Sequence, residues 1–278
     1  MNNVFSKNGL LIPSIGLGTG SGNLKGRKCR KVVRKALELG YRHIDTASMY
    51  ENEADVGSGI ADSSIDRKEV FLTTKINTIE INNNQIVDAF RNSLSDLKTE
   101  YVDLLLIHWP KFTTNLGDLL EIMFEIKDSK RTKAIGVSNF NSTLLNECKR
   151  LGFKDIYCNQ VEYHPFLSQE ILLSKMTEMN VVPVAYCPLF RGEVSKVKVI
   201  KKLSKKYNKT PSQITLRWLF QQNVVSIPKT VKKRRLKENI DIYDFEIDTY
   251  DMNLIHALAC GKRQVPNEET DPLLGAWD

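Results

Sequence analysis

Short apolar runs alternate with longer amphipathic stretches along most of this chain of 278 residues. The runs are of strand length and predict eight β-strands, at residues 15–18, 43–45, 70–74, 102–107, 134–138, 156–160, 181–186 and 224–227. The stretches that follow them predict helices at about 28–39, 53–61, 84–97, 116–128, 142–151, 168–179, 211–222 and 232–239. Because strands that alternate with helices form parallel sheets, the pattern favours an α/β fold, a (β/α)8 TIM barrel, with an open doubly wound sheet as the alternative.

Three segments depart from this repeat, one at each end of the chain and one within it. Asn8-Gly9 lies between two apolar runs and predicts an N-terminal β-hairpin, which Pro13 ends. Residues 193–207 predict an extra short helix, and residues 261–278 form a short C-terminal tail. Since no linker or shift in composition divides the chain, we expect a single domain over residues 1–278.

The composition is that of an ordinary globular protein, with 41% hydrophobic and 26% charged residues. No apolar stretch approaches the roughly 18 residues that cross a bilayer, and the first residues lack the basic start and apolar core of a secretion signal. We therefore expect a cytoplasmic protein. The five cysteines are scattered without a CxxC pair, which argues against a disulfide framework or a structural zinc site.

Much of the net charge of +7 comes from two basic segments, residues 196–209 and 229–237. A basic protein favours anionic partners in general. No recognisable nucleic-acid-binding motif or interleaved aromatic residues accompany the charge, so we interpret the first segment as a solvated face. We expect binding neither to nucleic acid nor to a membrane.

Four polar side chains mark the candidate site. Asp45, Lys75 and His108 each close an apolar run, and Tyr50 lies in the loop after the first of these runs. If the runs are parallel strands, all four groups meet at the carboxyl end of a barrel, where such barrels keep their chemistry. A phenol beside an ammonium, a carboxylate and an imidazole is an assembly that can donate a proton.

Three separated blocks resemble the aldo-keto reductase family over nearly the whole chain. They are residues 40–57 (GYRHIDTASMYENEADVG), residues 134–140 (AIGVSNF) and residues 227–231 (IPKTV), the last followed by Arg235 and Asn239. The order and spacing of the blocks make the similarity specific. The resemblance implies an eight-stranded barrel and NADPH-linked reduction of an aldehyde or ketone, a small-molecule carbonyl, by a monomeric enzyme.

The resemblance gives the four polar side chains catalytic roles, and elementary chemistry agrees with them. Reducing a carbonyl needs a hydride on carbon and a proton on oxygen, and Tyr50 would donate that proton. A free tyrosine has a pKa of about 10, and a nearby ammonium stabilises the phenolate, which is the part expected of Lys75. Asp45 would keep the lysine charged and oriented, and His108 would orient and polarise the carbonyl oxygen.

The resemblance also implies an NADPH site. Lys229, Thr230 and Arg235 match the positions that hold the adenosine 2′-phosphate, and two cations with a hydroxyl suit a dianion. The other matching positions contact the nicotinamide, the ribose, the pyrophosphate or the adenine: Gly18, Thr19, Asp45, Ser138, Asn139, Gln160, Tyr186, Cys187, Leu189, Glu238 and Asn239. Of these, Ser138, Asn139 and Gln160 would hydrogen-bond the carboxamide, and Tyr186 would stack on the nicotinamide ring.

The chain departs from the family at two positions. Many relatives have an aromatic residue where Gly20 stands, so we expect a wider or more polar pocket mouth. Relatives usually have serine at Cys187, and a thiol is a weaker donor to the pyrophosphate. The residues expected to line the substrate pocket are Met49, Tyr50, His108, Trp109 and Phe112, with Trp277 of the tail as a further candidate.

Other interpretations remain beside this one. An NADPH-binding regulatory or redox-sensing barrel with little turnover is the main alternative, and a phosphate-binding isomerase or lyase barrel is another. The glycines from Gly16 to Gly26 lack the GxGxxG spacing of a Rossmann fingerprint. His43 and His164 are expected to be packed or hydrogen-bonded core groups, and the histidine spacing does not favour a metal site.

Overall fold

The computed structural model describes residues 4–20, 24–77, 83–110 and 115–265. It contains an N-terminal hairpin and eight parallel strands. The hairpin strands are β1 (Val4–Lys7) and β2 (Leu10–Pro13). The parallel strands are β3 (Leu17–Gly18), β4 (His43–Asp45), β5 (Phe71–Ile76), β6 (Val102–Ile107), β7 (Thr132–Ser138), β8 (Cys158–Glu162), β9 (Val182–Tyr186) and β10 (Val225–Ser226).

The helices fill the intervals between the parallel strands and follow the last of them. They are α1 (Gly26–Glu38), α2 (Glu53–Ala61), α3 (Asn83–Asp96), α4 (Leu116–Asp128), α5 (Ser142–Arg150), α6 (Glu170–Glu178), α7 (Lys198–Lys206), α8 (Pro211–Gln221), α9 (Lys233–Ile240) and α10 (Thr249–His256). Short 3-10 segments lie at Ser48–Tyr50, Arg67–Glu69 and Phe190–Lys196. In the described part of the chain, no helix is both long and apolar enough to span a bilayer.

The sheet closes into a barrel. Each parallel strand pairs with the next one along the chain, from β3 to β10. Ile15 and Ser226 then form a parallel bridge, and the Gly16 amide donates to the Ser226 carbonyl at 2.8 Å. Gly18 allows this close approach, because a Cβ there would lie 2.6 Å from the Ile227 carbonyl oxygen. The barrel is therefore confirmed, and the open doubly wound sheet is excluded.

The hairpin covers the amino-terminal end of the barrel. The Tyr157 hydroxyl, just before β8, donates to the Leu10 carbonyl at 3.1 Å. The buried Lys7 ammonium donates to the Ile156 carbonyl at 2.5 Å. With this end covered, the carboxyl ends of the strands remain available for a site.

Local capping explains where several helices begin. The Asn141 side chain accepts from the Leu144 amide at the start of α5. Thr210 and Gln213 form a capping box before α8, whose first residue is Pro211. The predicted extra helix corresponds to α7, whereas α10 was not predicted, because its apolar residues do not form a single stripe along the helix.

Candidate active site

The structure brings the four predicted side chains together at the carboxyl ends of the strands. Asp45 is the last residue of β4, Lys75 is the penultimate residue of β5, and His108 directly follows β6. Tyr50 ends the 3-10 segment that follows β4. The Lys75 side chain is 0% exposed and Asp45 1%, so the charged pair is shielded from solvent.

Lys75 is the centre of the arrangement. Its ammonium donates to Asp45 Oδ1 at 2.5 Å and to the Thr46 carbonyl at 2.8 Å, and it lies 5.1 Å from the centroid of the Tyr50 ring. Burial alone lowers the pKa of Lys75, but the Asp45 charge and these hydrogen bonds outweigh it, and the pKa lies above its ordinary value. The lysine is therefore a fixed cation beside the phenol.

Tyr50 retains its proton in this environment. Burial raises the pKa of Tyr50, and Lys75 opposes this by lowering it, with a net shift upward. The expected effect of the ammonium is present, but burial is the larger one. The phenol is thus in its donor form at neutral pH, with a cation in place to stabilise the phenolate once the proton leaves.

His108 lies across the site from the lysine. Its ring meets the Tyr50 ring edge-on, with the centroids 5.6 Å apart, and stacks on the Trp109 ring at 6.3 Å. Burial, with the Lys75 charge adding to it, holds the pKa of His108 well below its usual value. The imidazole is therefore neutral, and one ring nitrogen has a proton that it can donate to a carbonyl oxygen.

The predicted nicotinamide-binding side chains adjoin this group. Gln160 Nε2 donates to Asp45 Oδ2 at 2.8 Å, and the Ser138 hydroxyl donates to the Gln160 carbonyl at 2.8 Å. Asn139 Nδ2 donates to the His108 carbonyl at 3.0 Å. Buried amides and a hydroxyl at neighbouring strand ends have the donors and acceptors that a carboxamide requires.

Tyr186 and Cys187 lie at the end of β9. The Tyr186 hydroxyl donates to Asn139 Oδ1 at 2.9 Å, which ties this ring to the strand-end amides. Burial raises the pKa of Cys187 to about 11, with Glu162 adding to the shift, so the thiol is protonated. Residue 187 has a positive φ of 50°, and the backbone therefore turns at the predicted pyrophosphate position.

The residues predicted for the adenosine end follow β10. Thr230 is 7% exposed, whereas Lys229 and Arg235 are exposed. Glu238 accepts a hydrogen bond from the Thr210 hydroxyl at 2.7 Å, and Asn239 is buried in α9. Two cations and a hydroxyl are groups that can bind a phosphate, and the phosphate site stays a prediction.

Gly20 lies against the Tyr50 ring. A Cβ at this position would lie 2.8 Å from Tyr50 Cζ and 3.0 Å from its hydroxyl oxygen. The missing side chain thus leaves room that the Tyr50 ring itself occupies. Met49 is 42% exposed and Trp109 7%. Phe112 and Trp277 lie outside the described residues, and so do residues 21–23 beside Gly20.

Two contacts of the site were not predicted. One is the Thr46 carbonyl, which accepts from Lys75. A main-chain acceptor leaves no signal in the residue type. The other is the bond from Gln160 to Asp45, since the sequence assigned Gln160 to the cofactor alone. The effect of Lys28 was not predicted either. The pKa of Lys229 is lowered mainly by burial and further by the charge of Lys28.

Known proteins resemble the chain in sequence and in structure. The sequence profile of the aldo/keto reductase family matches residues 14–259. The 9,11-endoperoxide prostaglandin H2 reductase of Trypanosoma cruzi (strain CL Brener) is 37% identical over 268 residues, which cover 94% of this chain and 93% of the relative. The glyoxal reductase of Bacillus subtilis (strain 168) is 37% identical over 262 residues, which cover 94% of each chain. A crystal structure of a Bombyx mori aldo-keto reductase in complex with NADP has a TM-score of 0.90 at 31% identity, covering 96% of this chain and 97% of that one.

Proposed function

The chain belongs to the aldo/keto reductase family, and from this premise we propose that it reduces aldehydes or ketones to alcohols with Tyr50 as the proton donor. The observation that supports the assignment is the chain of contacts from the buried Asp45 through the buried Lys75 to the Tyr50 ring. The family's cofactor is NADPH, which supplies the hydride to the carbonyl carbon when bound.

In the proposed reaction, the side chains of the protein supply the proton and stabilise the negative charge that forms on the proton donor. As Tyr50 gives its proton to the carbonyl oxygen, a phenolate forms beside the Lys75 ammonium, which stabilises it. Asp45 keeps that ammonium charged at a site that burial would otherwise make unfavourable for it. The neutral His108 donates a hydrogen bond to the same carbonyl oxygen and orients it.

We propose that the cofactor lies along the strand ends from β7 to β10. Ser138, Asn139 and Gln160 would hold the carboxamide, and Tyr186 would face the nicotinamide ring. The residues assigned to the rest of the cofactor are those predicted from the sequence: Gly18, Thr19, Asp45, Cys187, Leu189, Lys229, Thr230, Arg235, Glu238 and Asn239. Lys229 and Arg235 would make the 2′-phosphate of NADPH favourable compared with NADH.

The substrate is proposed as a small carbonyl compound, with dicarbonyls to be tested first. The Bacillus subtilis relative is named a glyoxal reductase, which supports this class. The Trypanosoma cruzi relative of equal identity is named for a prostaglandin endoperoxide, so identity alone does not select the substrate. Met49, Trp109 and Phe112 are proposed to contact it. No observation favours the alternative of a regulatory barrel with little turnover.

The proposal includes a single domain over residues 1–278 that acts as a monomer in the cytoplasm. The described residues form one barrel with its hairpin, and all five cysteines are free thiols, as a reducing compartment favours. Light scattering of the purified protein and fractionation of cells test the oligomeric state and the location.

The experiment that tests the function follows NADPH absorbance with a panel of aldehydes, dicarbonyls and keto esters. Wild type and Tyr50→Phe are compared, each with NADPH and with NADH. We expect turnover that prefers NADPH and falls by about 10²-fold or more in the variant. NADPH binding without turnover of any panel member would count against the proposed reduction, and full activity in Tyr50→Phe would remove the tyrosine from the mechanism.

A further inference from the structure

A buried carboxylate outside the proposed reaction lies close to the nicotinamide-binding residues. Glu162 is the last residue of β8 and is 1% exposed. It follows Gln160 by two positions and is paired in register with Tyr186 of β9. Burying a carboxylate is costly unless hydrogen bonds compensate for the lost water, so its partners indicate what it holds in place.

The hydrogen-bond partners of the carboxylate are one nearby side chain and two main-chain amides. Oε1 accepts from His164 Nε2 at 2.7 Å and from the Gln264 amide at 2.5 Å, and Oε2 accepts from the Val265 amide at 3.0 Å. Hydrogen bonds to an ionised acceptor are stronger than those between neutral groups. The two amides belong to a segment about a hundred residues further along the chain, so Glu162 fixes a distant part of the backbone.

His164 is held as a donor in this contact. Its Nδ1 accepts from the Phe166 amide at 3.3 Å, so Nε2 is the nitrogen that donates to Glu162. The side chain is 0% exposed, and its ring packs against the rings of Phe166 and Phe190, with centroids 5.8 and 4.5 Å away. The histidine therefore keeps the carboxylate from turning away from the two amides.

The same segment is held at a second place. The Phe166 carbonyl accepts from the Cys260 amide at 3.0 Å and from the Lys262 amide at 3.2 Å. Residues 260–265 thus lie against the loop that follows β8. This contact is independent of the Glu162 side chain, so removal of the carboxylate should free residues 264–265 while residues 260–262 remain attached.

The segment also reaches the environment of Tyr186. Burial raises the pKa of Tyr186, the Glu162 charge adds to the increase, and the Arg263 charge opposes it. Charges from β8 and from residue 263 therefore both act on the aromatic residue that is proposed to face the nicotinamide. A shift of residues 263–265 would alter the wall of the pocket at this point.

We propose that Glu162, oriented by His164, is a positioning residue that fastens residues 264–265 to the end of β8 and so sets the shape of the nicotinamide and substrate pocket beside Tyr186. The enzymatic part of this inference rests on the proposed function. The structural part does not, because the fastening of the two amides can be measured without turnover. Glu162 takes no part in the proton transfer, so its loss should affect binding more than the chemical step.

The test measures hydrogen exchange of the Gln264 and Val265 amides by NMR on the full chain, in wild type, Glu162→Gln and Glu162→Ala. We expect exchange of both amides at least about tenfold faster in the variants, with a smaller effect in Glu162→Gln, which keeps one acceptor oxygen. Glu170→Gln, an exposed carboxylate on α6, is the matched control and should leave both amides unchanged.

Kinetics separate positioning from catalysis. We expect KM for the carbonyl or Kd for NADPH to rise about tenfold in Glu162→Gln, while kcat changes by less than about threefold. If the Glu162 variants do not fold, His164→Asn, which keeps the carboxylate, should accelerate exchange of the same amides to a smaller degree. Unchanged amide exchange in every folded variant would overturn the inference, and so would a fall in kcat at constant KM. Faster exchange in a protein without reductase activity would leave the fastening intact and count against the proposed function alone.

Discussion

Among the residues that the structure describes, the barrel buries one lysine at each of its ends, and the two lysines differ in their partners. Lys7 lies at the amino-terminal end under the hairpin, and its described hydrogen bond is to a main-chain carbonyl. Burial lowers the pKa of Lys7 although Asp155 opposes the shift. Lys75 at the carboxyl end contacts a carboxylate and a phenol, and its pKa is raised. The proposed catalytic role of Lys75 thus depends on an acid that keeps it charged and on a phenol close to it.

The largest effects are expected when each of the two lysines is replaced by methionine, which tests whether they differ in function. Lys75→Met should lower kcat by about 10²- to 10⁴-fold, because the phenolate loses its stabilising charge. Lys7→Met should leave kcat within about threefold and instead lower the free energy of unfolding by about 1–3 kcal/mol, because the Ile156 carbonyl loses its donor. Steady-state kinetics and urea unfolding of both variants decide this. An equal loss of activity in the two variants would mean that the groups contacted by each lysine do not determine its role in catalysis.

A smaller effect is expected from adding a methyl group at Gly20. In Gly20→Ala the Cβ would displace the Tyr50 ring, whose Cζ lies 2.8 Å away, and move the hydroxyl relative to Lys75. We expect kcat to fall about 10- to 100-fold with little change in NADPH affinity. Gly117→Ala on α4, where the Cβ would lie near Asn115 and Leu151 and near none of the four proposed catalytic side chains, is the control and should keep full activity. An unchanged kcat in Gly20→Ala would show that the Tyr50 ring can move aside without loss of its function.

The buried histidine beneath the site predicts a dependence of stability on pH. Burial lowers the pKa of His43 to about 4 from an ordinary value of 6.5. The unfolded chain therefore binds a proton below about pH 6.5 that the folded chain does not, and stability falls as pH falls from there. At pH 5.5 the loss from this group is on the order of 1 kcal/mol. Urea unfolding at pH 7 and pH 5.5 should show a shallower fall in His43→Asn than in wild type. An equal fall in both would remove His43 as a cause.

The smallest effect is expected at Cys187. Cys187→Ser replaces a weakly donating thiol by a hydroxyl, so Kd for NADPH should fall by a few-fold, about 1 kcal/mol or less. Isothermal titration measures this directly. Cys260→Ser, an exposed thiol, should leave Kd unchanged. Weaker NADPH binding in Cys187→Ser would indicate that the thiol packs where a polar group is unfavourable.

Much of the fold could be predicted, because the period of the apolar pattern differs between strands and helices. The helices at Glu53–Ala61 and Leu116–Asp128 begin and end as predicted. The weak point was Thr249–His256, whose apolar residues do not form a single stripe along the helix and which follows the last barrel strand. Strand β3 is also shorter than predicted, because beyond Leu17–Gly18 its pairing continues only as the isolated bridge at Ile15.

The site was predictable where a polar residue ends an apolar run, as at Asp45, Lys75 and His108. Tyr50 does not end a run but lies in the loop just after one, and the resemblance then gave it the role of proton donor. The net upward shift in the pKa of Tyr50 could not be predicted, because it depends on how deeply the folded chain buries the ring. Contacts between distant segments were equally hidden, such as those of Glu162 with the Gln264 and Val265 amides.

The most direct test of the central claim is a double-mutant cycle on the rate of hydride transfer in single turnovers at saturating NADPH. Wild type, Tyr50→Phe, Lys75→Met and the double variant are compared. If Lys75 acts through the Tyr50 hydroxyl, the double variant should be no slower than the slower single variant, within about threefold. Losses that multiply in the double variant would mean that the two residues act independently, and the account of a lysine-assisted tyrosine donor would be wrong.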